Sequence, residues 1–154
     1  MTPSEMTAPA QAAVRTLTFR DAIREALLEE MQRDPSVFIL GECVELRSAW
    51  RTTKDLSLMF PGRVRDTPIS EAAIVGAAVG AAMLGMHPVA EIMVGDFVTT
   101  CMDELVNQAG KMRYMFGGQT DLPMVVRIPT GMVKNGAAQH SQTLESWFMH
   151  APGL

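Results

Sequence analysis

The chain has 154 residues, of which 47 % are hydrophobic and 19 % charged, and its formal net charge is −4. This composition suits one domain with a buried core and excludes wholesale disorder. The basic residues are scattered along the chain, so nothing marks a nucleic-acid surface.

Residues 1–16 are rich in Ala, Pro, Thr and Ser and read as a flexible leader. Thr18 opens a helix, with Asp21 three residues on in a capping-box arrangement. Phe19, Ile23, Ala26, Leu27 and Met31 recur at helical spacing until Asp34-Pro35 stops the run. Val37 to Leu40 is a short apolar stretch that reads as a buried strand. A polar loop from Cys43 to Lys54 follows, with some helix after it and a turn at Phe60-Pro61-Gly62. Arg63 to Thr67 forms a short strand, and a helix runs from about Ser70 to Leu84, ended by Gly85.

Val89 to Val94 is a further strand. Thr99 or Thr100 starts a helix with Met102, Leu105, Val106, Ala109, Met112 and Phe116 on one face, ended by Gly117-Gly118. Met124 to Ile128 is another strand, Pro129 to Gln142 a long Gly-rich loop, and Leu144, Trp147 and Phe148 mark a short helix before Pro152-Gly153. Strands alternating with helices predict an α/β domain with a mainly parallel sheet flanked by helices. In such sheets sites gather beyond the carboxyl ends of the strands. Glu42, Asp96-Phe97 and the 129–142 loop all follow strands in this way.

Cys43 and Cys101 lie far apart without a CxxC or a Cys/His cluster, which argues against a disulfide framework or a zinc site of the usual spacing. They are expected as buried, reduced thiols. The smoothest apolar run, Ala72 to Met86, is too short to span a bilayer, and no export signal opens the chain. A cytoplasmic location is the expectation.

No dinucleotide fingerprint, phosphate loop, nucleophile elbow or HExxH is present. The unusual segment is the helix after Glu71, which holds six Ala and three Gly between Ala72 and Gly85. An interior helical Gly costs roughly 1 kcal/mol relative to Ala. Gly76 and Gly80, four apart on one face, suit close packing inside the chain, against another subunit or near a cofactor. Glu71 sits in the first turn, where the helix dipole favours a carboxylate. Its apolar neighbours Ile69, Ala72 and Ile74 also suit a partly buried, proton-sharing group. Glu42, at a strand end, has the same two readings. His140, flanked by Gln139 and Ser141, is either a hydrogen-bonded loop residue or an acid–base group. Phe97 is either a core residue or part of a site.

Together these pieces resemble the β subunit of thiamin-diphosphate-dependent 2-oxoacid dehydrogenases. The resemblance runs in order through Phe60 to Glu71, Gly76 to Gly80, Pro88 to Met93, Asp96-Phe97, Asn107-Gln108-Ala109, Arg113 to Gly118, Ala138 to Leu144 and His150 to Leu154. The stretches FPGRV, RYMFGG and AQHSQTL are most similar to acetoin dehydrogenase β subunits, and pyruvate and branched-chain relatives share most of the landmarks. The resemblance covers nearly everything after Leu17 and implies the pyrimidine-binding domain of the thiamin-diphosphate fold over residues 17–154.

It further implies a site for thiamin diphosphate shared with an α subunit. Glu71 would hydrogen-bond the N1′ atom of the aminopyrimidine, and Phe97 would pack on the ring. Glu42 would serve as a second acidic residue in proton communication between paired sites. His140 would act on the substrate or in acyl transfer to a lipoyl domain. A second β subunit is implied as well. Gly95-Asp96 is followed by Phe97, so the GDG-type diphosphate and Mg²⁺ motif is missing. The metal is therefore expected on the α subunit, with no metal ligand in this chain. Two departures stand out. The segment between Glu42 and Glu71 is a little short, and the chain ends before the further strand, helix and carboxyl-terminal domain of family β subunits, so an open sheet edge is expected. The implied activity is decarboxylation of a 2-oxoacid, or cleavage of acetoin, with acyl transfer to the lipoyl group, in the presence of the α subunit. The rival expectations are a non-catalytic assembly module and, more weakly, a small nucleotide-binding domain.

Overall fold

The computed structural model describes residues 14–46, 48–132 and 135–154. Most of the expected leader and two positions of the long loop lie outside these residues. A parallel four-stranded sheet in the order β2-β1-β3-β4 forms the centre. Its strands are β1 (Val37–Gly41), β2 (Val64–Asp66), β3 (His87–Glu91) and β4 (Val125–Arg127).

Helix α1 (Phe19–Arg33) and the short α2 (Leu56–Met59) belong to one face, and α3 (Glu71–Met83) to the other. The alternation of strand side chains divides the core accordingly. Val37, Ile39 and Val89 pack with Leu27, Met31 and Leu56, while Leu40, Ala90 and Ile92 pack with Ile74, Val75, Ala78 and Val79. Ile74 and Val75 are almost fully buried, and such burial stabilises by about 1.5–3 kcal/mol per side chain. This is the mainly parallel, helix-flanked architecture that the sequence predicts.

Thr18 caps α1 as expected: the Asp21 backbone N–H donates to Thr18 Oγ1 at 3.1 Å, and that hydroxyl donates to Asp21 Oδ2 at 2.5 Å. The expected apolar face is only half used. Leu27 and Met31 are buried, but Phe19 is 85 % exposed and Ala26 is also exposed. The reason is position: α1 lies over β1, and its Ile23–Ala26 flank faces an uncovered groove beside Pro123 and Val125. Strand β4 occupies one sheet edge, with Val125 56 % exposed.

Strand β3 starts two residues earlier and ends three residues earlier than the sequence suggests. Pro88 is tolerated inside it because pairing with β4 begins only at Val89, opposite Val125, so no partner carbonyl waits for the missing N–H. Beyond Glu91 the chain leaves the ladder for a 3₁₀ segment, Gly95–Cys101.

The helix expected from Thr99 to Phe116 is composite. It runs from that 3₁₀ segment through a π-helix, Asp103–Ala109, into α4 (Gly110–Met115). The Gly110 N–H donates to Leu105 O, the i→i+5 bond of a π-turn. Cys101, Leu105 and Gly110 are buried in consequence, at spacings of four and five residues, whereas Phe116 is 46 % exposed. The final helix, α5 (Glu145–Phe148), leads to Gly153, whose φ of +100° and close approach to the Gly110 carbonyl leave no room for a side chain.

Cys101 is buried but Cys43 is exposed, which corrects the expectation of two buried thiols. Cys43 stands in the turn directly after β1 at φ 52°, outside both core layers. Burial, reinforced by Glu104 and Glu71, pushes the Cys101 thiol up to about 12. No helix among the described residues is long and apolar enough to cross a membrane.

Candidate functional site

The carboxyl ends of β1, β3 and β4 carry Glu42, Asp96-Phe97 and the loop from Pro129 to Gln142. The amino end of α3 brings Glu71 to the same side. Ser70 precedes that helix without a side-chain cap bond, and Ile74 N–H donates to Ser70 O at 2.9 Å. Glu71 thus sits in the first turn, where the helix dipole favours its charge. It is 9 % exposed. The Thr100 hydroxyl lies 3.1 Å from Glu71 Oε2 and 2.8 Å from Phe97 O. One hydroxyl hydrogen serves both acceptors, so Thr100 ties the Glu71 carboxylate to the backbone of Phe97.

Glu42 follows β1 in the adjoining corner. Its Oε1 atom is buried without a hydrogen-bond partner. Burial, and secondarily the charge of Glu71, push the Glu42 carboxyl above its usual range. Both causes favour the protonated form of Glu42. Gly41 makes the corner possible: a Cβ there would lie 2.5 Å from Glu91 O.

Phe97 and His140 form a pair. Their ring centroids are 5.1 Å apart with planes at 79°, an edge-to-face contact. His140 belongs to a 3₁₀ turn, Ala138–His140, and its Nδ1 atom is buried without a partner. A buried polar atom left unpaired is costly unless something outside the chain meets it. Glu42 Oε1 and His140 Nδ1 are both of this kind.

Behind the site, Arg127 Nη2 donates to Glu91 Oε2 at 2.5 Å and to Thr52 Oγ1 at 2.6 Å. Trp50 Nε1 donates to Met93 O at 2.8 Å. These bonds fasten the polar loop after β1 across the ends of β3 and β4. Among the described residues, no group of three or more His, Cys, Asp or Glu could hold a metal ion.

The structure therefore gathers Glu42 near Glu71, and Phe97 against His140, with Thr100 linking the two groups. Sequence reasoning missed Thr100, Gln142 and the part played by Asp96. Asp96 and Gln142 lie within stretches that carry the family resemblance but had no role attached to them, and Thr100 was read only as a helix-start residue.

Of the helix glycines, Gly76 would place a Cβ 3.6 Å from Glu104 Cγ, an ordinary contact, and Gly80 has nothing within 4 Å. Close packing inside the chain is thus not their purpose. Gly80 stands with Ala73, Ala77 and Leu84 on an exposed face of α3 and the turn after it.

Comparison with known proteins followed the same direction. The family described as "Transketolase, pyrimidine binding domain" matches residues 15–154. The chain is 47 % identical over 151 residues to the acetoin:2,6-dichlorophenolindophenol oxidoreductase subunit beta of Cupriavidus necator, covering 91 % of this chain and 45 % of that protein. It is 43 % identical over 154 residues to the pyruvate dehydrogenase E1 component subunit beta of Rhizobium meliloti, covering 99 % of this chain and 34 % of that one. It thus spans less than half the length of these relatives. A solved structure titled "Split gene transketolase, inactive beta4 tetramer" shares the fold, with a TM-score of 0.65 at 21 % identity over 86 % of this chain and 40 % of the other.

Proposed function

The chain belongs to the transketolase pyrimidine-binding domain family, and from that membership and the geometry of its strand ends we propose that it supplies the pyrimidine-side half of a thiamin-diphosphate site. The observation that carries this reading is the corner formed by Glu71 and Glu42. One buried carboxylate sits at a helix amino end, and beside it a second has an unmet oxygen and a raised carboxyl.

The residues present fit the cofactor's pyrimidine. Glu71 would hold a proton at a ring nitrogen, Phe97 would present an aromatic face, and Glu42 would keep a proton in reserve beside Glu71. Thr100 would fix which Glu71 oxygen faces the ring. His140 Nδ1, unpaired within the chain, would meet the substrate or the acyl acceptor. Thiamin diphosphate, when bound, supplies the electron sink that bond cleavage beside a carbonyl requires.

In this reading the diphosphate and its Mg²⁺ are held by a partner α subunit. A second β subunit completes the assembly, and the acyl group passes to a lipoyl domain. The reaction is that of a pyruvate or acetoin dehydrogenase component, by analogy with the relatives' names. The exposed small-residue face of α3, with open space at Gly80, supports a protein partner. It also favours the alternative of a non-catalytic assembly module, which would need that face but not Glu71. Replacing Glu71 with Gln in the chain assembled with its α subunit separates the two. Loss of turnover with assembly intact supports the catalytic reading, and near-normal turnover removes it.

A further inference from the structure

We infer that Asp96 is a latch that holds the His140 loop closed against Phe97. Asp96 lies in the first turn of the 3₁₀ segment after β3 and is only 7 % exposed. Its Oδ1 accepts from Gln142 Nε2 at 2.7 Å, and its Oδ2 accepts from the Gln142 backbone N–H at 3.4 Å. Gln142 is two residues beyond His140, and Phe97 is the residue after Asp96. The latch and the ring contact therefore join the same two stretches, and fixing one fixes the other.

The surrounding backbone is built for this closure. Gly95 N–H donates to Pro129 O at 2.9 Å, and Gly131 N–H donates to Gln142 O at 3.4 Å, so the two ends of the loop meet over residue 95. A Cβ on Gly95 would lie 2.9 Å from Thr130 Cγ2 and 3.3 Å from Gln142 O. At the loop's rear, Thr130 Oγ1 donates to Glu145 Oε1 at 2.6 Å.

Charge agrees with geometry. Burial works to raise the Asp96 carboxyl, but the two Gln142 bonds, together with the nearby His140, hold it below the usual carboxylate range. Asp96 is thus an ionised, buried acceptor matched to an amide, and such charge-assisted bonds are the stronger kind. Among the described residues of the 129–142 loop, no other side chain bonds to the 3₁₀ segment that carries Phe97. Asp96 is a positioning residue: it acts through Gln142 on where the His140 ring stands. Its functional weight rests on the proposed role of His140, whereas its mechanical role does not.

The test uses the full chain, which contains three histidines, His87, His140 and His150. Proton NMR reports the His140 ring signals, displaced by the edge-to-face Phe97 ring, while His87 and His150 serve as internal controls. Amide exchange reports residues 138–142. Asp96→Ala and Gln142→Ala are each expected to move the His140 signals toward those of exposed His150 and to speed exchange in 138–142 at least tenfold, with the His87 signals unmoved. Asp96→Asn keeps one oxygen for Gln142 Nε2 but sets its NH2 against the Gln142 backbone N–H, and should fall between the parent chain and Asp96→Ala. A variant that fails to fold would move His87 too, and Gln142→Ala, on the surface, then decides alone. Unchanged His140 signals and exchange in folded Asp96→Ala or Gln142→Ala overturn the latch. Turnover of the assembled Glu71→Gln variant tests the half-site independently, so either idea can fail without the other.

Discussion

Glu42 and Glu71 come from different elements, one following β1 and the other opening α3, yet burial, and after it the charge of Glu71, raises the Glu42 carboxyl. The relation depends on the sheet order. Because β1 lies at the centre of the sheet and α3 leads into its neighbour β3, the end of one strand and the start of the helix that crosses over it arrive at one corner. Gly41 lets the strands approach there, and the Thr100 hydroxyl stands between Glu71 Oε2 and the Phe97 carbonyl.

Replacing Glu42 with Gln should stabilise the isolated chain at neutral pH. The folded-state carboxyl is raised, so the native state holds its proton to higher pH than the unfolded state does. Native stability therefore falls as pH climbs from the ordinary carboxyl range through that raised value. Gln removes this loss. The gain at pH 7 is read as a rise in Tm. It should vanish at about pH 3, below the ordinary glutamate range, where Glu42 is protonated in both states. Thermal unfolding of both proteins across this range checks it.

Two glycines should respond in opposite directions. Gly80→Ala fills open space on a helix and is expected to stabilise the isolated chain by about 0.5–1 kcal/mol while weakening association with a partner that packs on α3. Gly41→Ala drives a Cβ into the Glu91 carbonyl and should cost about 2 kcal/mol or more. Denaturant unfolding of both variants, with sedimentation of Gly80→Ala against the partner, measures the pair.

Arg127→Met should be the most damaging of the charge deletions. Glu91 is 5 % exposed and Arg127 17 %, so removing the cation strands a buried carboxylate and a buried Thr52 hydroxyl. Breaking such a pair from one side costs roughly 3 kcal/mol. The double variant Glu91→Gln/Arg127→Met should recover part of that loss, since no uncompensated charge remains. Chemical denaturation of the single and double variants decides it.

The parallel sheet and its four strand positions were legible: Val37–Leu40, Val89–Val94 and Met124–Ile128 are apolar runs bounded by turn residues, and the short Arg63–Thr67 segment follows the turn at Phe60-Pro61-Gly62. Glu71 was legible as a candidate because its apolar neighbours suit a partly buried carboxylate and because the family resemblance attaches a role to it. The π-helix was not, because widening the turn at Asp103–Ala109 shifts which residues face the core without changing residue types. Phe116 and Met112 keep helical spacing in the sequence yet lose the buried face. The Asp96–Gln142 bonds span 46 residues and leave no local signal. Thr100 reads as a helix-start residue, and its contact with Glu71 exists only once α3 and the 3₁₀ segment pack together. The exposed half of α1 was misread because amphipathic spacing gives the width of an apolar stripe but not how much of it a partner element covers.

The most direct measurement is a calorimetric titration of thiamin diphosphate with Mg²⁺ into this chain alone and then into the chain mixed with its α subunit. It is repeated with Glu71→Gln. The half-site account predicts binding in the mixture and little or none to the chain alone. It also predicts weaker binding, or binding without turnover, once Glu71 is replaced. A well-folded, assembled complex that takes up no thiamin diphosphate would contradict it, as would one in which Glu71→Gln changes neither binding nor turnover.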